Sequence, residues 1–254
     1  MTPAWRMASL AFAVGLLMLW QVLGEHGVIS RVFFPPPSRA LAVLAEWLSS
    51  GELWQPLAGT VWRTLAGWGA ATILGVALGA LIASSALTRD LFEPTIEFLR
   101  PLPSSAMIPP VILLLGLTDA MVMAVVIFGS IWPILLGAIH GFRSVEPRLK
   151  ELSRALKMGR LHFMRGIALP SALPDIFAGM RVSLAIALII TVVAEMLSSR
   201  PGLGQMILFA ARGFRSAEIF AGVFLLGGLG YLGNAVLQRA EAYFLRWRPG
   251  VGIA

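Results

Sequence analysis

Inside an otherwise uncharged apolar run, the residue best able to do chemistry is Glu195, which follows Val182–Ala194. A carboxylate at membrane depth lines an ion or proton path, or else finds a partner. At the outer end of a span it would instead bond to backbone or water, and the sequence leaves both readings open. Other catalytic chemistry is missing. His26, His140 and His162 are scattered and show no metal-ligand spacing. There is no G-x-S-x-G elbow and no H-E-x-x-H pair. The absence of cysteine removes thiolate nucleophiles, disulfides and Cys-type metal sites together. The only two lysines, Lys150 and Lys157, do not follow the phosphate-cradling pattern G-x-x-x-x-G-K-[ST]. No cofactor or metal is therefore expected in this chain. If it moves a solute uphill, the energy comes from a partner or an ion gradient.

A second set of polar groups falls in a proline-broken apolar stretch. Pro101, Pro103, Pro109 and Pro110 interrupt a span read as about 95–117. Proline-freed carbonyls near Pro103 and Pro109, with the hydroxyls of Ser104 and Ser105, offer polar contacts where protein or a water-filled cavity can satisfy them. Met107 and Met196 suit a deformable apolar gate, or simple packing. Ser104, Ser105, Met107, Pro109, Glu195 and Met196 are thus the expected translocation path. Arg63, Arg100 and Arg181 either favour an anion there or anchor helix ends at the interface.

The elements that would carry these groups are membrane spans. Hydrophobic residues make up 57% of the chain and charged residues 13%, with mean hydropathy +0.82. Soluble domains average about 25% charged residues, so the chain is read as an all-α polytopic membrane protein. The net charge of +7 is assigned to loops facing anionic lipid, with no nucleic acid as partner. Six transmembrane helices are expected, at about 7–23, 57–86, 95–117, 120–140, 176–197 and 219–240. The first lacks a small-x-small cleavage site before Gly24-Glu25-His26 and is read as retained. Ser38 is expected to cap a short helix with Leu41, Leu44, Ala45 and Leu48 on one face. Thr88-Arg89-Asp90 reads as a polar turn. Gly67, Ala71, Gly75, Gly79 and Ala83 recur every fourth residue and allow close helix approach, within the bundle or between two copies.

Between the fourth and fifth spans lies the basic segment 141–175. It holds Arg143, Arg148, Lys150, Arg154, Lys157, Arg160 and Arg165. Under the positive-inside rule this loop is cytoplasmic. Arg6, Arg89, Arg100, Arg239, Arg246 and Arg248 fall on the same side, outnumbering Arg31, Arg39, Arg200, Arg212 and Arg215 opposite. Both termini are accordingly read as cytoplasmic. Pro147 suits the first turn of a helix, and Leu149, Leu152 and Leu156 share one face. A second short helix carries Leu161, Met164 and Ala168, and Pro170 and Pro174 are expected to end it. Such a pair either docks in the cleft of a moving partner or lies on lipid.

The loop resembles the cytoplasmic signature of ABC importer permeases: Glu-Ala-Ala, three residues, Gly, nine residues, then Ile-x-Leu-Pro. Here Glu151-Leu152-Ser153 and Ile167-Ala168-Leu169-Pro170 stand at that interval. Lys157 occupies the glycine position, and Gly159 is expected to supply the turn by adopting positive φ. Phe33-Phe34-Pro35-Pro36-Pro37-Ser38, Arg100-Pro101-Leu102-Pro103, Phe142–Pro147, Ala194-Glu195-Met196 and Gly202-Leu203-Gly204 follow in the family's order. Together they resemble the branch that imports nitrate, alkanesulfonate, taurine and bicarbonate.

The resemblance implies a type I importer permease fold, with a peripheral first helix (7–29), a periplasmic segment (30–55) and a permease core (56–248) containing the 141–175 coupling loop. It implies a multi-pass protein of the bacterial cytoplasmic (inner) membrane working as a pair of permeases. Two ATPase subunits that bind ATP and Mg would sit on the cytoplasmic face, and a periplasmic or lipid-tethered binding protein would deliver substrate. Glu151, Leu152, Ser153, Ala155, Leu156, Lys157, Met158, Gly159 and Arg160 would couple to the ATPase. The chain itself would be no enzyme. Alternatives are an ion-coupled carrier or channel using Glu195, or the same importer class carrying a vitamin-precursor heterocycle.

Overall fold

The structure is a computed structural model that describes residues 3–247, apart from the side chains of residues 3, 4, 6 and 10. The Arg6 side chain and Arg248, both used to orient the spans, lie outside the described residues. The chain runs as α1 (Pro3–Glu25), α2 (Pro37–Ser50), α3 (Trp54–Ala83), α4 (Ala86–Leu99), a 3-10 turn (Ser104–Met107) and α5 (Ile108–Leu115). It continues as α6 (Asp119–Arg143), α7 (Pro147–Ala155), α8 (Arg160–Phe163), a π turn (Met164–Ala168), α9 (Leu169–Ser198), α10 (Leu203–Arg212) and α11 (Ser216–Phe244). Among the described residues there is no strand.

Five helices are long and apolar enough to cross a membrane, and a bent pair makes a sixth candidate. In that pair, Ala86–Leu99 and Ser104–Leu115 meet at 88°, so the expected straight third span is a broken one. The break lies at Pro101 and Pro103. Pro109 and Pro110 instead occupy the first turn of α5, where a missing N–H is tolerated. Thr88, Arg89 and Asp90 are helical. The turn precedes them, and the Ser85 hydroxyl caps α4 by accepting from the Thr88 N–H at 3.1 Å.

The core centres on α6, with α3 against one side and α9 against another. Small residues permit both approaches. A Cβ on Gly67 would stand 2.7 Å from Val126, and one on Gly79 would stand 2.5 Å from the Ala138 Cβ. The every-fourth-residue stripe of α3 therefore packs inside one chain, against α6. On the α9 side, Gly137 faces the Asp175 carbonyl and Gly141 faces Ala172. Ile108, Met121, Val122, Val125, Val126, Ala187 and Ala194 fill the space between α5, α6 and α9 with no solvent exposure.

Two sequence expectations shift by a register. In α2 the buried residues are Pro37, Ala40 and Trp47, with Leu44 partly buried, whereas Leu41 and Leu48 are exposed. Ser38 does not cap this helix; it exchanges hydrogen bonds with the Gln21 side chain of α1. Pro170 and Pro174 do not terminate anything either. Pro170 sits in the first turn of α9 and Pro174 lies inside it, and an apolar helical run extends over Arg160–Ser198. The π turn at Met164–Ala168 absorbs the disturbed hydrogen bonding just before the prolines.

Candidate functional site

The loop between α6 and α9 is built as a helical elbow with two unlike faces. Pro147 opens α7, and Leu149, Phe163, Met164 and Ile167 press against buried Ala138, Phe142, Val145, Ala168 and Ala172. Ser153 is buried too, its hydroxyl donating to the Lys150 carbonyl at 2.8 Å. The opposite face carries Leu152, Leu156 and Leu161, at 51%, 64% and 63% exposure. Glu151, Ala155, Lys157, Gly159 and Arg160 are exposed with them, and Met158 is half-buried. The predicted Leu149–Leu152–Leu156 face is thus split, Leu149 inward and the other two outward. Leu161 likewise separates from Met164 and Ala168.

The turn after α7 corrects the expectation for Gly159. Lys157 itself takes the left-handed conformation, at φ 48°, while Gly159 is extended at φ −61° and ψ 151°. The Lys157 N–H reaches the Arg154 carbonyl at 3.0 Å, and the Met158 N–H reaches the Ser153 carbonyl at 2.9 Å. These two bonds form a Schellman closure with Lys157 at the position glycine usually fills. A glycine there would be free of the Cβ penalty that Lys157 carries.

The broken span supplies a second feature. Ser104 and Ser105, on the 3-10 turn, border a cavity of about 300 Å³ together with Ile108 and the α9 residues Ile186, Ile189, Ile190 and Val193. Gly129 of α6 makes room behind it; a Cβ there would stand 2.4 Å from the Ser104 hydroxyl. Of the expected path residues, the structure brings only Ser104 and Ser105 to this cavity. Met107 is half-buried nearby in sequence, Pro109 is exposed, and Met196 is half-buried on α9.

Glu195 lies outside that cavity, in a buried ionic network at the end of the bundle opposite the α7–α8 elbow. Its carboxylate has no solvent exposure. It accepts from the Arg63 Nη1 at 2.5 Å, from the Thr60 hydroxyl at 2.9 Å and from the Gly204 N–H at 3.0 Å. Arg63, only 4% exposed, also donates to Asp119 at 2.8 Å and to the Pro201 carbonyl at 2.9 Å. Arg200 donates to the same Asp119 oxygen at 2.9 Å. Two arginines and two carboxylates thus neutralise one another, joining α3, α6, α9 and the turn into α10. Gly202 and Gly204 are required by close approach: a Cβ on Gly202 would sit 2.3 Å from the Glu195 carboxyl carbon, and one on Gly204 would sit 2.3 Å from the Val192 carbonyl.

Of the two readings the sequence left open for Glu195, the geometry matches the one in which it finds partners. Its carboxylate is bonded by Arg63, Thr60 and the Gly204 N–H, and the Arg63 guanidinium is held by Glu195, Asp119 and the Pro201 carbonyl. Arg181 is likewise paired, with Glu241 of α11. Sequence reasoning missed Thr60, Asp119 and Arg200 as partners. The available signal was opposite charge at the ends of adjacent spans, Asp119 opening one and Arg200 closing the next. Among the described residues no group of His, Asp and Glu could hold a metal ion.

A bundle of long apolar helices, one broken at prolines, with a helical elbow between two central spans, defines a multi-pass membrane protein. The chain belongs to the family of binding-protein-dependent transport system inner membrane components, whose model matches residues 71–248. Similar curated proteins include SsuC of Bacillus subtilis (strain 168), a candidate aliphatic sulfonates transport permease, at 31% identity over 95% of this chain and 88% of that protein. The bicarbonate transport permease CmpB of Synechocystis sp. (strain ATCC 27184 / PCC 6803 / Kazusa) is 30% identical over 90% of this chain and 86% of its own length. Among solved structures, the inward-facing MetNI methionine ABC transporter matches with TM-score 0.65 at 19% identity, over 78% of this chain and 95% of that one. An amino acid ABC transporter matches with TM-score 0.61 at 15% identity, over 81% of this chain and 98% of that one. The fold is that of type I ABC importer permeases, and the chain is a permease subunit.

Proposed function

We propose that this permease forms the translocation path for a small anion, such as a sulfonate, taurine, bicarbonate or nitrate, delivered by a periplasmic or lipid-tethered binding protein. It works as a pair in a bacterial inner membrane, with both termini cytoplasmic. Residues 7–29 form a peripheral helix, 30–55 a periplasmic segment and 56–248 the core. Two partner ATPase subunits bind ATP and Mg and hydrolyse the nucleotide. The relatives' names support the solute class.

One observation carries the coupling role. Leu152, Leu156 and Leu161 are exposed together on an elbow whose other face is anchored in the core through Leu149, Phe163 and Ala168. An apolar surface on a rigid elbow can receive and transmit rigid-body motion. Glu151, Leu152, Ser153, Ala155, Leu156, Lys157, Met158, Gly159 and Arg160 form this coupling segment, with Ser153 and Met158 bracing it from inside. Ser104, Ser105, Met107, Pro109 and Met196 line or border the path, and Glu195 is reassigned from the path to bracing its outer end.

Leu156→Asp tests the coupling segment. Its side chain is mostly exposed, so folding and insertion stay intact, whereas a carboxylate placed in an apolar cleft costs more than the roughly 2–7 kcal/mol of a neutral polar group. Co-purification of the ATPase with the variant should fail. Full ATPase binding and normal substrate-stimulated hydrolysis would mean that this face lies on lipid.

A further inference from the structure

Between the α7–α8 elbow and the ends of α3 and α6 lies a cavity of about 530 Å³. Its volume falls in the range of about 300–1,000 Å³ common to small-ligand sites. One wall is apolar, made by Ala80 and Ala83 of α3, Phe142 of α6, and Phe163, Met164 and Ala168. The other wall carries Arg143, Lys150, Arg154 and Arg160, with the Ser84 hydroxyl beside them. Ala83 and Arg143 end α3 and α6, so the cavity sits where the spans leave the hydrocarbon.

Its electrostatics are uncompensated. Among the described residues none of these four cations has a carboxylate within ion-pair distance; the nearby Glu146 is 4.0 Å from Arg148 instead. Among the described residues the Lys150 ammonium makes one polar contact, donating to the Arg143 carbonyl at 3.4 Å. Arg143, Arg154 and Arg160 are exposed and Lys150 is half-buried, so water screens part of their mutual repulsion. An anion at the cavity would relieve the rest, and guanidinium forks match phosphate oxygens. A basic pocket between spans on the cytoplasmic side, half apolar and half cationic, fits a phosphate head group that keeps its acyl chains in the membrane.

We propose that this cavity binds the head group of an anionic phospholipid, fixing the elbow against the ends of α3 and α6. The inference uses the membrane placement of the chain and is independent of which solute is carried. The full chain, purified in neutral detergent without ATPase, is titrated with phosphatidylglycerol, with phosphatidylcholine and with inorganic phosphate, and bound lipid is counted by native mass spectrometry. Phosphatidylglycerol should be retained in clear preference to phosphatidylcholine, and excess inorganic phosphate should not displace it. Arg143→Gln, Lys150→Gln and Arg154→Gln should each weaken retention about fivefold, from about 1 kcal/mol per cation near the surface. Arg246→Gln, outside the cavity, should leave retention unchanged. Equal retention of both lipids, or an unaltered preference in the triple variant, overturns the proposal. Displacement by inorganic phosphate makes the cavity a free-anion site. Absence of lipid preference with loss of ATPase binding in the same variants assigns it to protein docking, and the coupling role then survives alone.

Discussion

Arg63→Met is the perturbation that the buried network makes most costly. The wild-type guanidinium reaches Glu195 at 2.5 Å, Asp119 at 2.8 Å and the Pro201 carbonyl at 2.9 Å. Methionine has similar length and no charge, so packing is largely kept while every one of these contacts is lost. Glu195 has no solvent exposure, which leaves a buried carboxylate held only by the Thr60 hydroxyl and the Gly204 N–H. Breaking such a pair costs about 3–5 kcal/mol. Asp119 adds little to this sum. Its side chain is 42% exposed and it keeps Arg200, so its share falls within the ~0–1 kcal/mol of a solvated pair.

A double-mutant cycle isolates the charge effect. Glu195→Gln in the Arg63→Met background removes the stranded charge and keeps an acceptor for Thr60 or Gly204. The double variant should therefore recover about 2 kcal/mol relative to the sum of the two single changes, within the coupling range of residues in one network. Denaturant unfolding in detergent, followed by helical circular dichroism, reads all four corners. A single-variant loss below about 1 kcal/mol, or strict additivity in the cycle, would refute the account, because an unpaired buried carboxylate can produce neither.

Lys157→Gly should stabilise the chain by about 1 kcal/mol by relieving the left-handed penalty at φ 48°. Unchanged unfolding in the same assay would show that the Schellman turn is not formed. Gly204→Ala should cost about 1–3 kcal/mol through overpacking against the Val192 carbonyl, whereas Gly159→Ala, with nothing within 4 Å of its added Cβ, should be neutral. Equal thermal midpoints for the two variants would contradict the packing around Glu195. Gly79→Val should separate α3 from α6 and lower folded yield, since even a single added carbon meets the Ala138 Cβ at 2.5 Å; normal yield with loss of pairing between copies would move that stripe to the dimer interface. Single cysteines at Ser104 and Ser105 should react with polar thiol reagents in at least one nucleotide state of the assembled importer, and silence in every state would remove them from the path.

The sequence alone determined that the chain crosses a membrane, because apolar composition and span length are set by the bilayer whatever the packing. It located the elbow, since the spacing from Glu151 to Ile167 is a property of the chain. It also marked a span interrupted by Pro101, Pro103, Pro109 and Pro110, without choosing among the four. Tertiary structure decided the rest. Hydropathy is blind to which prolines open helices and which interrupt them, because that depends on where the preceding helix ends; so Pro109 and Pro174 were misread. The stripe of α3 had two possible partners, and only the position of Val126 and Ala138 on α6 chose between them. Lys157 could be assigned the positive φ only once the bonds from its own N–H and that of Met158 back to α7 were seen. Glu195 shows the reason most plainly. Arg63 and Asp119 are separated from Glu195 and from each other by long stretches of chain, and within apolar spans each looks solitary. Folding brings them within hydrogen-bond reach, where the cost of burying charge leaves mutual neutralisation as the stable arrangement.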